Sequence, residues 1–156
     1  RMFTVILEEC GYEVSHADGL MERFLELRHD VELFPDVLPA LERLAARYPM
    51  ASLSNGNADI RRLGLDRYMP VAVSAGHAGT AKPDPAIFLH ACDALGFAPR
   101  EVVHVGDHPV EDVRGARDAG MVTVWINRGG AAWEHDHRAD FEVSDLAGLV
   151  ALLEAL

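Results

Sequence analysis

Side chains that could take part in chemistry follow three apolar runs of this sequence. They are a hydroxyl, an amide, an ammonium group and two carboxylates, at Ser54, Asn55, Lys82, Asp107 and Asp112. Apolar runs bounded by turn residues are typical of buried strands, and open α/β sheets bind ligands at the carboxyl ends of their strands. Because parallel strands end at the same edge, we expect these side chains to share one crevice. A hydroxyl beside backbone N–H groups at such a point is a plausible phosphate seat.

The stretch from Glu101 to Gly120 predicts a strand, a tight turn and a helix. Its apolar run ends at Gly106-Asp107, Pro109 suits the first helical turn, and Gly120 suits the residue after the last. An aspartate before a helix and another in its first turns are also ordinary caps, so the two acids taken alone are more often structural. A structural role such as capping can explain each site residue separately, but it does not explain why all of them are found where a strand ends or a helix begins.

The rest of the chain predicts three helices and then strands that alternate with helices. The helices cover residues 1–11, about 18–29 and about 37–48, with a linker at 33–36 before the third. The strands cover residues 50–53, 71–74, 102–105, 122–126 and 141–143, the later helices cover residues 58–63, 85–95, a stretch after 109 and 146–153, and residues 75–84 form a loop. This alternation indicates an α/β fold, a parallel sheet with helices on both faces.

The composition limits the classes of protein to which this chain can belong. The chain has 156 residues, enough for one domain with a core, a net charge of −11 and two cysteines. The negative charge argues against nucleic acids and anionic membranes as partners. Two distant cysteines and the lack of an apolar run as long as a membrane span predict a soluble cytoplasmic protein without a secretory signal. The oligomeric state is not predicted.

The segment from about Leu33 to Leu156 resembles the haloacid dehalogenase-like (HAD) hydrolase superfamily. The second, third and fourth motifs of that family are matched in order by Ser54-Asn55-Gly56, by Lys82-Pro83, and by Gly106-Asp107 with Asp112. The surrounding segments resemble the subfamily IA branch, which has an early helical cap and includes flavin-mononucleotide phosphatases. The resemblance implies a Rossmannoid core over residues 34–156 and the carboxyl-terminal part of the cap over residues 1–33.

The resemblance also implies a phosphomonoester hydrolase that acts on small phosphorylated metabolites through an aspartyl-phosphate intermediate. In the family, Mg²⁺ bridges the nucleophilic aspartate and the phosphate, whose like charges would otherwise repel. Carried over by motif, Asp107 would bind the metal, and Asp112 would be a second ligand or, as we prefer, an acid that supports the ligands. Lys82 would be the catalytic lysine that steadies phosphate and nucleophile. Ser54 and the Asn55 amide would bind phosphoryl oxygens.

The first motif of the family has no counterpart in this sequence. That motif is an apolar strand ending in Asp-x-Asp-x-Thr, and it supplies the nucleophile and the general acid/base, whereas this chain contains no Asp-x-Asp. By the resemblance the missing strand is the centre of the sheet, between the strands that end at Ser54 and Asp107. Its absence would leave two unpaired edges and a gap. We therefore expect the chain to be the carboxyl-terminal part of a longer phosphatase and to be inactive alone.

Two alternatives stay open at this point. A metal-independent 2-haloacid dehalogenase shares the fold and the nucleophile, although the acid at Asp107 favours a metal enzyme. A non-catalytic HAD-like fragment or binding protein would also lack the first motif. A response-regulator receiver domain is excluded by residue order, because its phosphate-accepting aspartate precedes the serine or threonine and the lysine. The identity of the substrate is not predicted, since specificity in this branch rests largely on the cap.

Three histidines and two tryptophans carry weaker signals. His108 lies beside the proposed metal acid and is a hypothetical contact of the leaving group. His135 and His137 could bind a metal, but two histidines in a surface loop are more often solvated when no third ligand is evident. Trp125 and Trp133 are expected to be packing residues.

Overall fold

The structure, a computed structural model, describes residues 2–56 and 59–156. The chain begins with three helices, α1 (Met2–Glu9), α2 (Ala17–His29) and α3 (Val37–Ala45). The first two contact each other through the rings of Phe3 and Phe24, whose centroids are 5.8 Å apart. All three helices lie where the helical spacing of apolar residues predicted them, with ends that differ by a few residues.

Five parallel strands follow, in two separate sheets. β1 (Ala51–Ser54) pairs with β2 (Val71–Ser74), and β4 (Val122–Ile126) pairs with both β3 (Val103–Gly106) and β5 (Phe141–Val143). Among the residues that the structure describes, no strand pairing joins the two sheets. A cavity of about 620 Å³ is lined by residues 50–53 of the β1 segment and 102–107 of the β3 segment. The family resemblance placed a further strand between these two segments.

Helices cover both faces of the sheets, which confirms the predicted α/β arrangement. One core cluster includes residues of α5 (Pro85–Leu95) and α6 (Gly115–Asp118), and the other includes residues of α3 and α7 (Leu146–Ala155). The first cluster consists of Val73, Ile87, Phe88, Ala91, Cys92, Ala116 and Met121, and the second of Ala40, Leu44, Val124, Leu149 and Val150. No helix in the described part of the chain is long and apolar enough to cross a membrane.

Local signals set both ends of α5, as predicted. The Asp84 side chain accepts a hydrogen bond of 2.9 Å from the backbone N–H of Ala86, and Pro85 occupies the first helical position. Gly96 ends the helix with a φ of 79°, a left-handed conformation that glycine adopts at little cost. Because Lys82 lies two residues before this cap, the start of α5 fixes the position of the Lys82 backbone.

The helix predicted after Pro109 starts with a π-helical turn, Pro109–Arg114, and continues as α6. His108 caps this turn, because its Nδ1 accepts the backbone N–H groups of Val110 at 3.3 Å and Glu111 at 3.0 Å. The structural explanation of Asp107 as the cap is therefore wrong. The carboxylate at the end of β3 has no capping role.

Two other sequence predictions are corrected by the structure. The helix predicted over residues 58–63 begins outside the described residues, and from Ile60 to Gly64 the chain forms consecutive turns instead. The backbone N–H groups of Arg62 and Gly64 bond three residues back, to the carbonyls of Asp59 and Arg61 at 3.1 Å and 3.0 Å, which is the spacing of turns. The loop predicted after β2 contains a short helix, α4 (Ala75–Ala78), which ends at Gly79 with a φ of 70°.

Candidate active site at the carboxyl ends of the strands

A buried ion pair lies at the carboxyl end of β3. Lys82 Nζ donates to Asp112 Oδ1 at 2.6 Å, and the side chains of the two residues are 12% and 5% exposed. A buried charge is costly to hold without a partner. The structure therefore joins two of the predicted site residues, thirty positions apart in the chain, into one unit.

Protein donors occupy both carboxylate oxygens of Asp112. Besides Lys82, the Oδ1 atom contacts His104 Nε2 at 3.2 Å, while Oδ2 accepts the backbone N–H of His108 at 3.0 Å. Burial by itself raises the pKa of this carboxyl, but the hydrogen bonds from His104 and Lys82 outweigh it and hold the pKa well below its usual range. Asp112 is therefore placed to orient Lys82. We call Lys82, His104 and Asp112 the buried cluster.

Close packing around the buried cluster requires glycine at Gly106. A Cβ added there would lie 2.3 Å from Asp112 Cγ, so any larger residue would displace the carboxylate. Gly115 is confined in the same way, since its Cβ would lie 2.6 Å from Phe88 Cε2 and 2.8 Å from the Pro83 carbonyl oxygen. These two glycines let the π-helical turn and α6 approach β3 and α5.

Asn55 links the loop after β1 to the backbone of Lys82. Its Nδ2 donates to the Lys82 carbonyl at 2.9 Å, and its Oδ1 accepts the Lys82 N–H at 2.6 Å. The same Nδ2 also donates to Glu111 Oε2 at 3.1 Å. Because these bonds occupy the side-chain amide, Asn55 fixes the position of the lysine. Ser54 Oγ accepts the backbone N–H of Gly56 at 2.9 Å, which closes the turn that carries both residues.

Asp107 differs from Asp112 in its surroundings. It is exposed at the end of β3 and lines the same cavity as Lys82 and Asp112. Among residues 2–56 and 59–156, no hydrogen bond or ion pair engages its carboxylate. A carboxylate held at a cavity and unused by the protein is a group that a ligand can reach.

Side chains from β4 and the loop after it hold the turn that carries Asp107. Trp125 Nε1 donates to the Asp107 carbonyl at 2.8 Å, and His137 Nε2 donates to the Pro109 carbonyl at 2.9 Å. The Trp125 and Trp133 rings pack edge to face with centroids 4.8 Å apart. Trp125 thus packs, as expected, and also acts as a donor. His137 is partly buried and bonded to the turn, so the expectation that it is solvated is wrong.

The oxygen donors present suit a hard cation only in part. Asp107 offers a carboxylate, the ligand type that Mg²⁺ prefers, whereas both oxygens of Asp112 are occupied. Within the described ranges no group of three or more His, Cys, Asp or Glu side chains is arranged to hold a metal ion. Asp107 could therefore supply one ligand of a magnesium site whose remaining ligands come from elsewhere.

Sequence reasoning missed two contacts that the structure places at the site. His104 lies inside strand β3, where the alternation of side chains between the two faces of the strand gives no sign that the ring contacts Asp112. Arg28, near the end of α2, lies close to Gly56: a Cβ added to Gly56 would be 2.6 Å from Arg28 Nη2. No local sequence signal marks either residue, because both contacts depend on how distant segments pack.

The model of the haloacid dehalogenase-like hydrolase family matches residues 4–120. This match covers most of the chain and includes the segments that carry Ser54, Lys82, Asp107 and Asp112. The chain therefore belongs to the haloacid dehalogenase-like hydrolases, as its motifs and its fold indicated.

Known relatives of this chain include both phosphatases and dehalogenases. Phosphoserine phosphatase of Thermus thermophilus is 38% identical over an alignment of 162 positions, which covers 100% of this chain and 65% of that protein. (S)-2-haloacid dehalogenase 4A of Burkholderia cepacia is 36% identical over 91% of this chain and 64% of that protein. The crystal structure of a 2-haloacid dehalogenase from Pseudomonas syringae superposes with a TM-score of 0.90 and 42% identity, over 98% of this chain and 68% of that one. The chain thus spans about two thirds of the length of these relatives.

Proposed function

We propose that the protein containing this chain is a Mg²⁺-dependent phosphomonoester hydrolase of small phosphorylated metabolites, working through an aspartyl-phosphate intermediate. The observation that carries the proposal is that an unengaged acid, Asp107, and a cation fixed by Asp112, Lys82, line one cavity. A hydrolase that attacks an anionic ester needs positive charge beside the reacting group. A carboxylate that binds no protein group is suited to hold a metal there.

Each residue has a separate part in this proposal. Lys82 would contact a phosphoryl oxygen and the attacking carboxylate, and the buried cluster would keep its ammonium group in place. Asn55 would hold the Lys82 backbone, so that phosphoryl oxygens would be bound by the Ser54 hydroxyl and by the Asn55 backbone N–H. His108 Nδ1 is used as a cap, so a contact with the leaving group would have to come from its Nε2.

Asp107 would be the metal ligand of this chain. Bound Mg²⁺ would offset the repulsion between an attacking carboxylate and the phosphate. Asp112 would support the site through Lys82 without binding the metal. The nucleophile and the general acid/base belong to the first motif, so a polypeptide of this sequence alone is proposed to be inactive.

The test is phosphate release by the full-length protein from a panel of small phosphomonoesters, with Mg²⁺ and with a chelator. Turnover should require Mg²⁺, and Asp107→Asn should abolish it. Asp107→Asn should also weaken Mg²⁺ binding measured by calorimetry, which reports on the ligand independently of activity. The matched control is Asp118→Asn, an exposed acid whose side chain pairs with Arg114 at 3.6 Å outside the cavity. Phosphate release that persists in the chelator would refute the proposal.

The second candidate is a metal-independent 2-haloacid dehalogenase. The similarity to two proteins of that name supports it. Chloride release from 2-chloropropionate in the presence of a chelator, unaffected by Asp107→Asn, would favour this function over phosphate ester hydrolysis. The exposed acid Asp107 favours the phosphatase, because a reaction without a metal gives this carboxylate no task.

A cytoplasmic location is part of the proposal. It is supported by the two cysteines, Cys10 and Cys92, which are not paired with each other. The negative charge of −11 supports a small molecule as substrate and argues against nucleic acid or membrane partners.

A further inference from the structure

The end of α2 is anchored to the loop after β1. His29 Nε2 accepts the backbone N–H of Asp59 at 2.8 Å, and the other ring nitrogen, Nδ1, contacts the carbonyl oxygen of Leu25. This pattern places the ring proton on Nδ1, where it is donated to the helix. His29 therefore joins α2 to the loop, and it holds the neighbouring Arg28 beside the same loop.

Arg28 lies over the glycine of Ser54-Asn55-Gly56. A Cβ added to Gly56 would be 2.6 Å from Arg28 Nη2 and 3.3 Å from Ser54 Oγ. The Arg28 Cζ atom lies 6.0 Å from the centroid of the Phe24 ring, one turn earlier in the helix. The absence of a side chain at Gly56 thus makes room for a guanidinium group next to the serine hydroxyl.

The charge of Arg28 is not compensated by a carboxylate in the described part of the chain, where no ion pair or hydrogen bond engages its side chain. Lys82, in contrast, is paired with Asp112 at 2.6 Å. In a chain with a net charge of −11, an uncompensated cation beside the loop is a local exception that favours an anion. Guanidinium groups bind carboxylates through two parallel hydrogen bonds.

Lys82 and Asp107 line the cavity, whereas Ser54 and Arg28 lie next to each other outside its lining. With the phosphoryl group held at the cavity by Lys82 and bonded on one side by the Ser54 hydroxyl, the guanidinium is left for a second anionic group on the same substrate. We propose that Arg28 binds the carboxylate of the substrate, and that the substrates are therefore phosphorylated carboxylic acids. This inference rests on the proposed phosphatase function and narrows its substrate class.

The test compares 3-phosphoglycerate with glycerol 3-phosphate, which differ in having a carboxylate or a hydroxymethyl group at one end. With the full-length protein, Arg28→Gln should lower kcat/KM for 3-phosphoglycerate by about 10-fold to 100-fold, the worth of a hydrogen bond to a charged group, and should leave glycerol 3-phosphate nearly unchanged. Arg28→Lys should restore part of the loss. The control Arg23→Gln, on the same helix and paired with Glu26 at 2.9 Å, should change neither.

The outcomes separate this inference from the proposed function. Equal losses on the two esters, or no loss on either, would overturn the role of Arg28 and leave the phosphatase intact. If the wild-type protein hydrolyses neither ester nor any of the panel, the proposed function fails. In that case, the role of Arg28 is tested by calorimetric binding of both compounds in the presence of a chelator. Tighter binding of 3-phosphoglycerate to the wild type, lost in Arg28→Gln, supports carboxylate binding by Arg28. If the wild type shows no such preference, or Arg28→Gln keeps it, the role of Arg28 is overturned.

Discussion

The buried cluster and a second pair of residues, Asp107 and Arg28, which we call the mouth of the site, each contain an acid and a base, but in opposite surroundings. Lys82 and Asp112 are enclosed, and each charge is matched by a partner within the protein. Asp107 and Arg28 are exposed, and no described residue pairs with their charges. Since a buried charge must be paired whereas an exposed charge is solvated, Asp107 and Arg28 can exchange water for a ligand without losing a protein partner. In the proposed function, His104 and Asp112 hold Lys82 in place, and Lys82, Asp107 and Arg28 are the groups that reach a ligand.

The largest effect should follow from removing one partner of the buried cluster. We expect Asp112→Ala to lower the free energy of unfolding by about 3–5 kcal/mol, because it leaves the Lys82 ammonium buried and unpaired. Denaturant unfolding of the purified variant measures this directly. Asp118→Ala removes an exposed carboxylate and should cost no more than about 1 kcal/mol. Similar losses in the two variants would mean that the buried Lys82–Asp112 pair contributes no more to stability than an exposed ion pair does.

The same carboxyl should make stability depend on pH in acid. The pKa of Asp112 is lowered on folding, so the unfolded chain, in which this carboxyl has an ordinary pKa of about 3.9, takes up the proton first as the pH falls. The stabilisation is complete above the unfolded pKa and is lost as the pH falls through the folded pKa. The difference in unfolding free energy between the wild type and Asp112→Asn should therefore shrink below about pH 4. A difference that grows on acidification would contradict this assignment.

Overfilling the cluster should have a smaller effect than breaking it. Gly106→Ala places a Cβ 2.3 Å from Asp112 Cγ and should cost about 1–3 kcal/mol of unfolding free energy. Gly19→Ala, within α2, meets no atom within 4 Å and should instead stabilise the protein by up to about 1 kcal/mol. Thermal or denaturant unfolding of both variants tests the contrast. A neutral Gly106→Ala would show that the carboxylate can move aside.

The smallest effect should come from the support of the mouth. Trp125→Phe keeps an aromatic ring but replaces the buried indole by a smaller phenyl ring and removes the N–H that donates to the Asp107 carbonyl, so we expect a loss of about 1–2 kcal/mol. Hydrogen exchange at the His108 amide should become faster, because the turn is held by one bond fewer. Tyr48→Phe removes a donor to the Leu153 carbonyl, remote from the turn, and should leave that exchange unchanged. Unchanged exchange in Trp125→Phe would show that the indole only packs.

Sequence reasoning succeeded where the determinants are local. Asp84, Pro85 and Gly96 set the ends of α5 by interactions within a few residues, and the strands were recognised from short apolar runs. It failed over Ile60 to Gly64, where backbone N–H groups bond to carbonyls three residues back, as in successive turns, instead of forming an α-helix. It also gave no sign that the His108 ring caps the turn after β3, where an aspartate was the ordinary capping alternative.

The sequence by itself determined the order of strands and helices along the chain, the family, and which candidate site residues follow the strands. These follow from hydrophobic periodicity, capping and turn residues, which act over a few positions of the chain. Only the tertiary structure decided which acid is buried and which is exposed, that Asn55 holds the Lys82 backbone, and that Arg28 lies against Gly56. The reason is physical: pairing, desolvation and close approach depend on the distance between atoms that are tens of residues apart in sequence.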